Sequence, residues 1–520
     1  MAEALTVDFP VTWDDPADAE LYWSRDLMHE PHQVSPLDFE ISEIAHVAGS
    51  ARALEYWGLP TRRRARLVNT YKYGAAIPIT LPDEATARVA VSDRRSLSFA
   101  LRTRLNWEEW QPEVELLIAQ GRAFDLGRAS DDDLLEHLDA SLVRLERAWY
   151  IHFLVTRPTL LAMDQFNCLY LELFPGSSVL KALELVQGEE NRTVATGREL
   201  WKLSRILDTP AFEAALDRFL QEYGHRADSL AITATSWIED PTTVLAQVQA
   251  FAANPDRDPI REEARKLVRR EAATARARAG LAGYPRRVRE LFESWLRIAR
   301  EATAVWEDHN FYIDQCCDDE LRQVIRELAR RAVRSGGIDA VADAPMLRIE
   351  ELRAAVRGVD QRKQVAIQRE LHEHFAKVAA PHALGPPPAA PPAGITARAT
   401  SAFFGQPPPA PEPGLVWGTA ASAGVVRGIA RVRHHLEEAR DLQVGEILVV
   451  PSTTQSWTPL FALAAAVVSD AGGILCHCAL VAREYGIAAV VGTVHGTELI
   501  PDGSLVEVDG AAGTVRVLDS

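Results

Sequence analysis

Between Ala379 and Leu415 this chain cannot build a core. The runs PHALGPPPAAPPAG and GQPPPAPEPG are mostly proline, alanine and glycine. Each proline fixes φ and removes a backbone donor, so the segment reads as a semi-rigid polyproline spacer. It sets a boundary at residues 381–414 and divides the 520-residue chain into a long first part and a short last part. A chain of that length is expected to hold more than one core. ITARATSAFFG, between the two tracts, is suited to docking on either neighbour.

Residues 1–380 read as mainly helical. Ser130 ahead of Asp131, Asp132 and Asp133 makes an N-cap with acids in the first turn, and Leu134, Leu135, Leu138, Leu142 and Leu145 follow at helical spacing. Pro259 opens a second helix, IREEARKLVRREAATARARAG, with alternating charges on a solvated face. Further helical runs cover Glu290 to Val305, Asp319 to Arg334 and Arg348 to Val359. The first 130 residues are ambiguous; VAVSDRRSLSFALRT fits either strands or a short helix. Residues 415–520 change rhythm. Val425 to Val432, Glu446 to Val450, Ala465 to Ser469, Ala488 to Val491 and Leu505 to Val508 are short β-branched runs bounded by Gly, Pro and Asp, with one helix, Cys478 to Tyr485, among them. The expected fold class is therefore multidomain α + α/β: a mostly helical domain, a Pro-rich linker and a small β/β/α module on a tether.

The formal net charge of −17 argues against a nucleic-acid binder, which needs a basic face, though it leaves room for a local basic pocket. MAEALTVDFPVTWDDPADAE is acidic and lacks a positive n-region followed by an apolar run, so a signal peptide is not expected there. The apolar stretches are too short to span a bilayer. Cys168, Cys316, Cys317, Cys476 and Cys478 are odd in number and unevenly placed, so a reduced, cytoplasmic chain without disulfides is expected.

The most informative segment is VVPSTTQSWTPLFALAAAVVSDAGGILCHCALVAREYGIAAVVGT. A strand ending at Ser469 runs into Gly472-Gly473, and a helix begins near His477. Paired glycines allow a tight turn, and the N–H groups at a helix N-terminus form an anion site. A histidine there, with Arg483 for phosphate oxygens, is placed to act as a nucleophile toward phosphorus. Cys476-His477-Cys478 is not a zinc site, because three consecutive side chains cannot converge on one ion and no second Cys/His pair accompanies them; no metal is expected.

GGILCHCALVAREYGIAAVVG resembles the phosphohistidine signature of the swivelling domain in phosphoenolpyruvate synthase, pyruvate phosphate dikinase and rifampicin phosphotransferase. PSTTQSWTPLF and WGTAASAGVVRGIARV resemble the rest of that domain, so the resemblance covers residues 415–520. It implies that His477 is phosphorylated and that Thr453, Thr454, Gly472, Gly473, Cys476 and Arg483 cradle the phosphate. Two positions depart from the pattern: Cys476 replaces a Ser/Thr, which weakens the hydrogen-bond donor before the histidine, and Ala488 replaces a Pro.

FPVTWDDPADAELYWSRDLMHEPHQVSPL, EYGHRADSLAITATSWIEDPTTV and AREATAVWEDHNFYIDQ resemble the substrate region of rifampicin phosphotransferase and the large subunit of split aryl phosphate synthases. The resemblance implies that residues 1–380 bind an acceptor. The sequence holds no P-loop GxxxxGK[ST]. The expectation is therefore that ATP, with its Mg2+, is bound by a separate ATP-grasp subunit, and that the acceptor is a small aromatic hydroxyl compound. Glu307 and His309 are candidates for the base that deprotonates it. Asp26 and His29, three apart, share a face if LYWSRDLMH is helical. Arg226, Trp237, Trp306 and Asp314 complete the candidate acceptor site, an apolar pocket with a few oriented polar groups. Two other functions fit the same motif: a phosphohistidine-bearing adaptor without acceptor chemistry, and part of an antibiotic phosphotransferase. A closed apolar pocket favours an enzyme; a flat, solvated surface favours an adaptor.

Overall fold

The computed structural model describes residues 9–227, 229–256, 258–387, 394–406, 408–410 and 412–518. The start of the chain (residues 1–8), on which the leader reading falls, and residues 388–393 of the polyproline tract lie outside them. Among the described residues no helix is long and apolar enough to cross a membrane, and all five cysteines are free thiols.

The helical part is built on Asp131–Leu173, a helix of 43 residues. Ser130 caps it reciprocally: its hydroxyl accepts from the Asp133 N–H at 3.1 Å, and the Asp133 carboxylate accepts from the Ser130 N–H at 3.3 Å. Leu134, Leu135, Leu138, Leu142 and Leu145 are all buried in the first core, as their spacing predicts. Arg286–Asn310 packs along this helix and continues through a wide π turn, Phe311–Cys317, into Asp318–Arg334. A second π turn, Glu43–Val47, faces the long helix as well. Such turns are uncommon and often mark functional sites.

The ambiguous N-terminal region resolves into both kinds of structure. VAVSDRRSLSFA is helical, within Pro82–Ala100. The strands are β1 (Trp23–Arg25), β2 (Thr61–Val68) and β3 (Tyr71–Pro78). With β4 (Ala383–Leu384) they form an antiparallel sheet in the order β2-β3-β1-β4. Asn69 and Thr70, both at positive φ, close the two-residue β2–β3 hairpin, whose twist suits the strands.

The C-terminal sheet has eight strands: β5 (Leu415–Trp417), β6 (Thr419–Ser422), β7 (Val425–Val432), β8 (Ile447–Val450), β9 (Ala466–Ser469), β10 (Ala488–Val491), β11 (Leu505–Asp509) and β12 (Thr514–Val517), in the order β5-β12-β11-β7-β8-β9-β10-β6. The neighbours from β7 to β10 are parallel. Strands β8 to β10 are buried throughout, as parallel strands covered on both faces are. Alternate residues serve different cores. Ile447, Val449, Ala466, Val468, Ala488 and Val490 fill the module's own interior. Leu448, Val450, Val467, Ala489 and Val491 join a core continuous with Leu161, Phe166, Ala302 and Trp306 of the helical part. The two parts are therefore docked through apolar packing.

The linker expected at 381–414 is not a plain spacer in its described residues. Ala383–Leu384 extends the N-terminal sheet, and Ile395–Phe404 is a helix. Its start is tied to the helical part by the Asp93 carboxylate, which accepts from the Ile395 N–H at 2.8 Å, and by Arg398–Asp164 at 2.8 Å. Its end grips the histidine loop: the Phe403 carbonyl accepts from the Gly473 N–H at 2.7 Å and the Ala402 carbonyl from the Leu475 N–H at 3.1 Å. The segment docks on both neighbours, because its apolar face meets one and its free C-terminal carbonyls meet the other.

Candidate active site

His477 opens the helix His477–Tyr485, and the Cys476 thiol, standing where a Ser or Thr is expected, caps it by accepting from the Ala479 N–H at 3.5 Å. Burial pushes that thiol up to about 11, so it stays protonated. Gly472, at φ +106, has no room for a side chain, since a Cβ would lie 2.6 Å from the Cys476 sulfur. His477 as a whole is 8% exposed. Its Nε2 lies 3.3 Å from the Thr458 hydroxyl, and its Nδ1 lies 3.7 Å from Oε1 of Glu307, contributed by the helical part. Oε2 of Glu307 accepts from the Thr193 hydroxyl at 2.6 Å. Burial alone would raise the Glu307 carboxyl. His477, Thr193 and the buried Arg226 more than offset this and hold it below the ordinary value, as a carboxylate.

His477 lies on the wall of a cavity of ≈ 390 Å³ between the two parts. Trp57, Trp149, Phe153, Trp306, Phe403 and Phe404 supply aromatic walls. A second cavity of ≈ 440 Å³ adjoins it, sharing Asp26, His29, His46 and Trp149. Of the residues singled out in the sequence, Asp26, His29, Trp306, Asp314, Thr453, Thr454, Cys476 and His477 line the first cavity together.

Asp26 and His29 are adjacent, though not by helical spacing. The chain leaves β1 into a turn in which Oδ1 of Asp26 accepts from the N–H groups of Met28 and His29, while Oδ2 bonds His29 Nδ1 at 2.8 Å. Burial opposes charge on His29, but the Asp26 carboxylate outweighs it and raises the imidazole above its usual value; the same contact lowers Asp26. Nδ1 is thereby committed and Nε2 is left as the basic nitrogen. Asp314 forms a second such pair with His152 Nδ1 at 2.9 Å.

Other candidates sit elsewhere. His309 is 0% exposed behind Trp306, with Nδ1 on the Val305 carbonyl at 3.1 Å, and burial drops it to about 4; it is a neutral packing group, not a base facing the cavity. Glu307 faces His477 instead of an acceptor hydroxyl. Arg226 bonds the Thr196 hydroxyl at 2.9 Å over the face of Trp237 and its charge reaches Glu307, and neither residue lines the cavity. Arg483 donates to the carbonyls of Ala421 at 2.8 Å and Ile474 at 3.0 Å and lines a separate small pocket, away from the phosphate position expected for it. The Gly473 N–H, expected in the cradle, is held by Phe403. Sequence reasoning missed Thr458, Thr193, His46 and His152. Thr458 lies inside the quoted TTQSWT run, whereas the others carried no local signal. Among the described residues no group of three or more His, Cys, Asp or Glu side chains is arranged to hold a metal ion.

With this geometry in place, comparison with known proteins is informative. Residues 442–513, which contain His477, match the mobile domain of PEP-utilising enzymes. Residues 203–307, which contain Arg226, Trp237 and Glu307, match the fourth domain of rifampicin phosphotransferase. The chain is related to rifampicin phosphotransferase. The enzyme of that name from a Streptomyces species is 33% identical over 59% of this chain and 34% of its own length. Chondramide synthase of Chondromyces crocatus is 35% identical over 98% of this chain but only 14% of its own. An uncharacterised phosphotransferase of Bacillus subtilis is 26% identical over 71% of this chain and 47% of its own. The chain thus spans less than half the length of each of these relatives.

Proposed function

We propose that this chain is the acceptor-binding and phosphoryl-carrying part of an ATP-dependent phosphotransferase that modifies a hydroxyl of a small aromatic compound. The observation that carries this reading is the position of His477. It stands on the wall of an aromatic cavity that the helical part and the mobile domain close between them. A cavity of this kind favours an enzyme over an adaptor.

In the transfer step the acceptor oxygen attacks phosphorus, the Nε2–P bond of phosphorylated His477 breaks and the O–P bond forms. His29 Nε2 takes the hydroxyl proton, with Asp26 holding the ring. Glu307 keeps the proton on Nδ1 of His477, so that the leaving imidazole is neutral and needs no further charge compensation. Thr458 donates to Nε2 as it is released. The aromatic walls limit the water that would otherwise consume the phosphoryl group. ATP and Mg2+ belong, in this reading, to an ATP-grasp module outside the chain. The relatives' additional length is consistent with such a module.

The test uses phosphoramidate to load the histidine, which removes the need for the ATP-binding partner. Loaded wild type incubated with phenols and benzylic alcohols should lose phosphohistidine and yield the aryl or benzyl phosphate, followed by phosphorus NMR. His477→Ala should give neither signal. Product formation by the alanine variant would sink the proposal. A second reading, a larger hydroxylated antibiotic as acceptor, is favoured by the match at residues 203–307 and by the adjoining ≈ 440 Å³ cavity. Rifampicin in the same assay decides between them.

A further inference from the structure

Strand β2 reads TRRRARLV, with arginine at four of five consecutive positions, in a chain of net charge −17. Two of these have an evident structural task. Arg64 and Arg66 each bond the wholly buried Asp18 at 2.7 Å. Arg62 and Arg63 are exposed, make no hydrogen bond or ion pair among the described residues, and both line the aromatic cavity that holds His477. Arg63 pairs across the hairpin with Ala76, which lines the same cavity, so the two share the face turned toward it. The charge of Arg63 is felt at Asp26 and at His46.

The carboxylates of this cavity leave those guanidiniums unanswered. Asp26 is bonded by His29 at 2.8 Å and Asp314 by His152 at 2.9 Å. Arg157, a third guanidinium on the wall, is spent on the hydroxyls of Ser92, Ser96 and Thr396. We infer that the acceptor carries an oxyanion such as a carboxylate in addition to its hydroxyl, and that Arg63, on the cavity face of β2, holds that group. Arg62, which leaves the strand on the other face but still reaches the cavity lining, adds its charge. A planar guanidinium meets a carboxylate with two parallel hydrogen bonds, which fixes orientation as well as charge. Held there, an aromatic acid is oriented across the cavity, with its ring among Trp57, Trp149 and Phe153 and its hydroxyl free to face the mobile domain. This inference rests on reading the cavity as the acceptor site, but its test does not require phosphoryl transfer.

The probes are 4-hydroxybenzoate and its neutral isostere 4-hydroxybenzamide, with binding read from the fluorescence of the cavity tryptophans and by calorimetry. Wild type should bind the carboxylate about tenfold more tightly than the amide, the scale of one charge-assisted contact near solvent. Arg63→Gln should reduce that preference, and the double variant with Arg62→Gln should abolish it, while amide binding stays unchanged and so reports an intact fold. His477→Ala should keep the preference, which separates this result from the phosphotransferase reading. The inference is overturned if wild type shows no preference, if neither probe binds saturably, or if the preference survives in the double variant. Inorganic phosphate is the remaining arm. If it binds to wild type and the substitutions remove that binding without touching the carboxylate preference, the arginines serve the transferring phosphoryl group and the inference fails.

Discussion

Replacing Glu307 by Gln tests the central contact of the site, since it removes one charge opposite His477 Nδ1 and changes almost no volume. At the observed 3.7 Å, opposite unit charges in an effective dielectric of about 20 attract by about 4 kcal/mol. Desolvating a carboxylate that is 5% exposed cancels part of this. The pair stands beyond hydrogen-bond distance here; closing to a charge-assisted hydrogen bond when the ring carries the phosphoryl group and a proton would make the loss about 1.5–3 kcal/mol. At about 1.4 kcal/mol per tenfold, transfer from phosphohistidine to acceptor should slow by about tenfold to a hundredfold. The assay is single turnover: phosphoramidate-loaded chain is mixed with acceptor and the phosphohistidine signal followed by phosphorus NMR. Transfer as fast as wild type refutes the argument.

Other outcomes follow from the same geometry. Asp26 raises His29, so the transfer rate should climb with pH through that raised value and then level; Asp26→Asn should move the climb to lower pH and lower the plateau, measured as kcat against pH. The corresponding stability term has the opposite sense: the His29 contribution is complete below about pH 6.5 and is lost as pH rises through the raised value, which thermal melts across that window will report. Gly405→Ala places a Cβ 2.6 Å from the Gly472 carbonyl at a residue with φ +92. The strain, about 1–3 kcal/mol, should loosen the linker's grip and raise amide exchange at Gly473 and Leu475 by about tenfold or more, while exchange along Asp131–Leu173 stays unchanged. Lys266, 5% exposed, bonds Glu484 of the mobile domain at 3.0 Å. Lys266→Met leaves that carboxylate, 18% exposed, with the Gly188 N–H at 3.3 Å but no cation, at a cost of about 1–3 kcal/mol, and small-angle scattering should detect a larger fraction of undocked, more extended chain.

The proline tract, the Ser130 cap with its leucine stripe, and the glycine-histidine segment ahead of a short helix were all legible in sequence. Each is a local device: its residues lie within a few positions of one another, and backbone geometry and spacing fix what they do. The placement of the other site residues was not legible. Glu307 and His477 are 170 positions apart, and only the packing of one sheet face of the mobile domain onto Leu161, Phe166 and Trp306 brings them within 3.7 Å. The pairing of Asp26 with His29 was anticipated, but a helix was the wrong reason for it; a turn after β1 achieves the contact through backbone N–H groups that a spacing rule does not weigh. His309 and Arg483 had the chemistry of site residues, and burial turned one inward and bound the other to carbonyls. The sequence alone therefore determined the motif on which the phosphocarrier reading of His477 rests, because that motif is contiguous. The groups that surround His477, and the cavity that would hold an acceptor, were decided by tertiary structure, because they depend on which face of each element meets another.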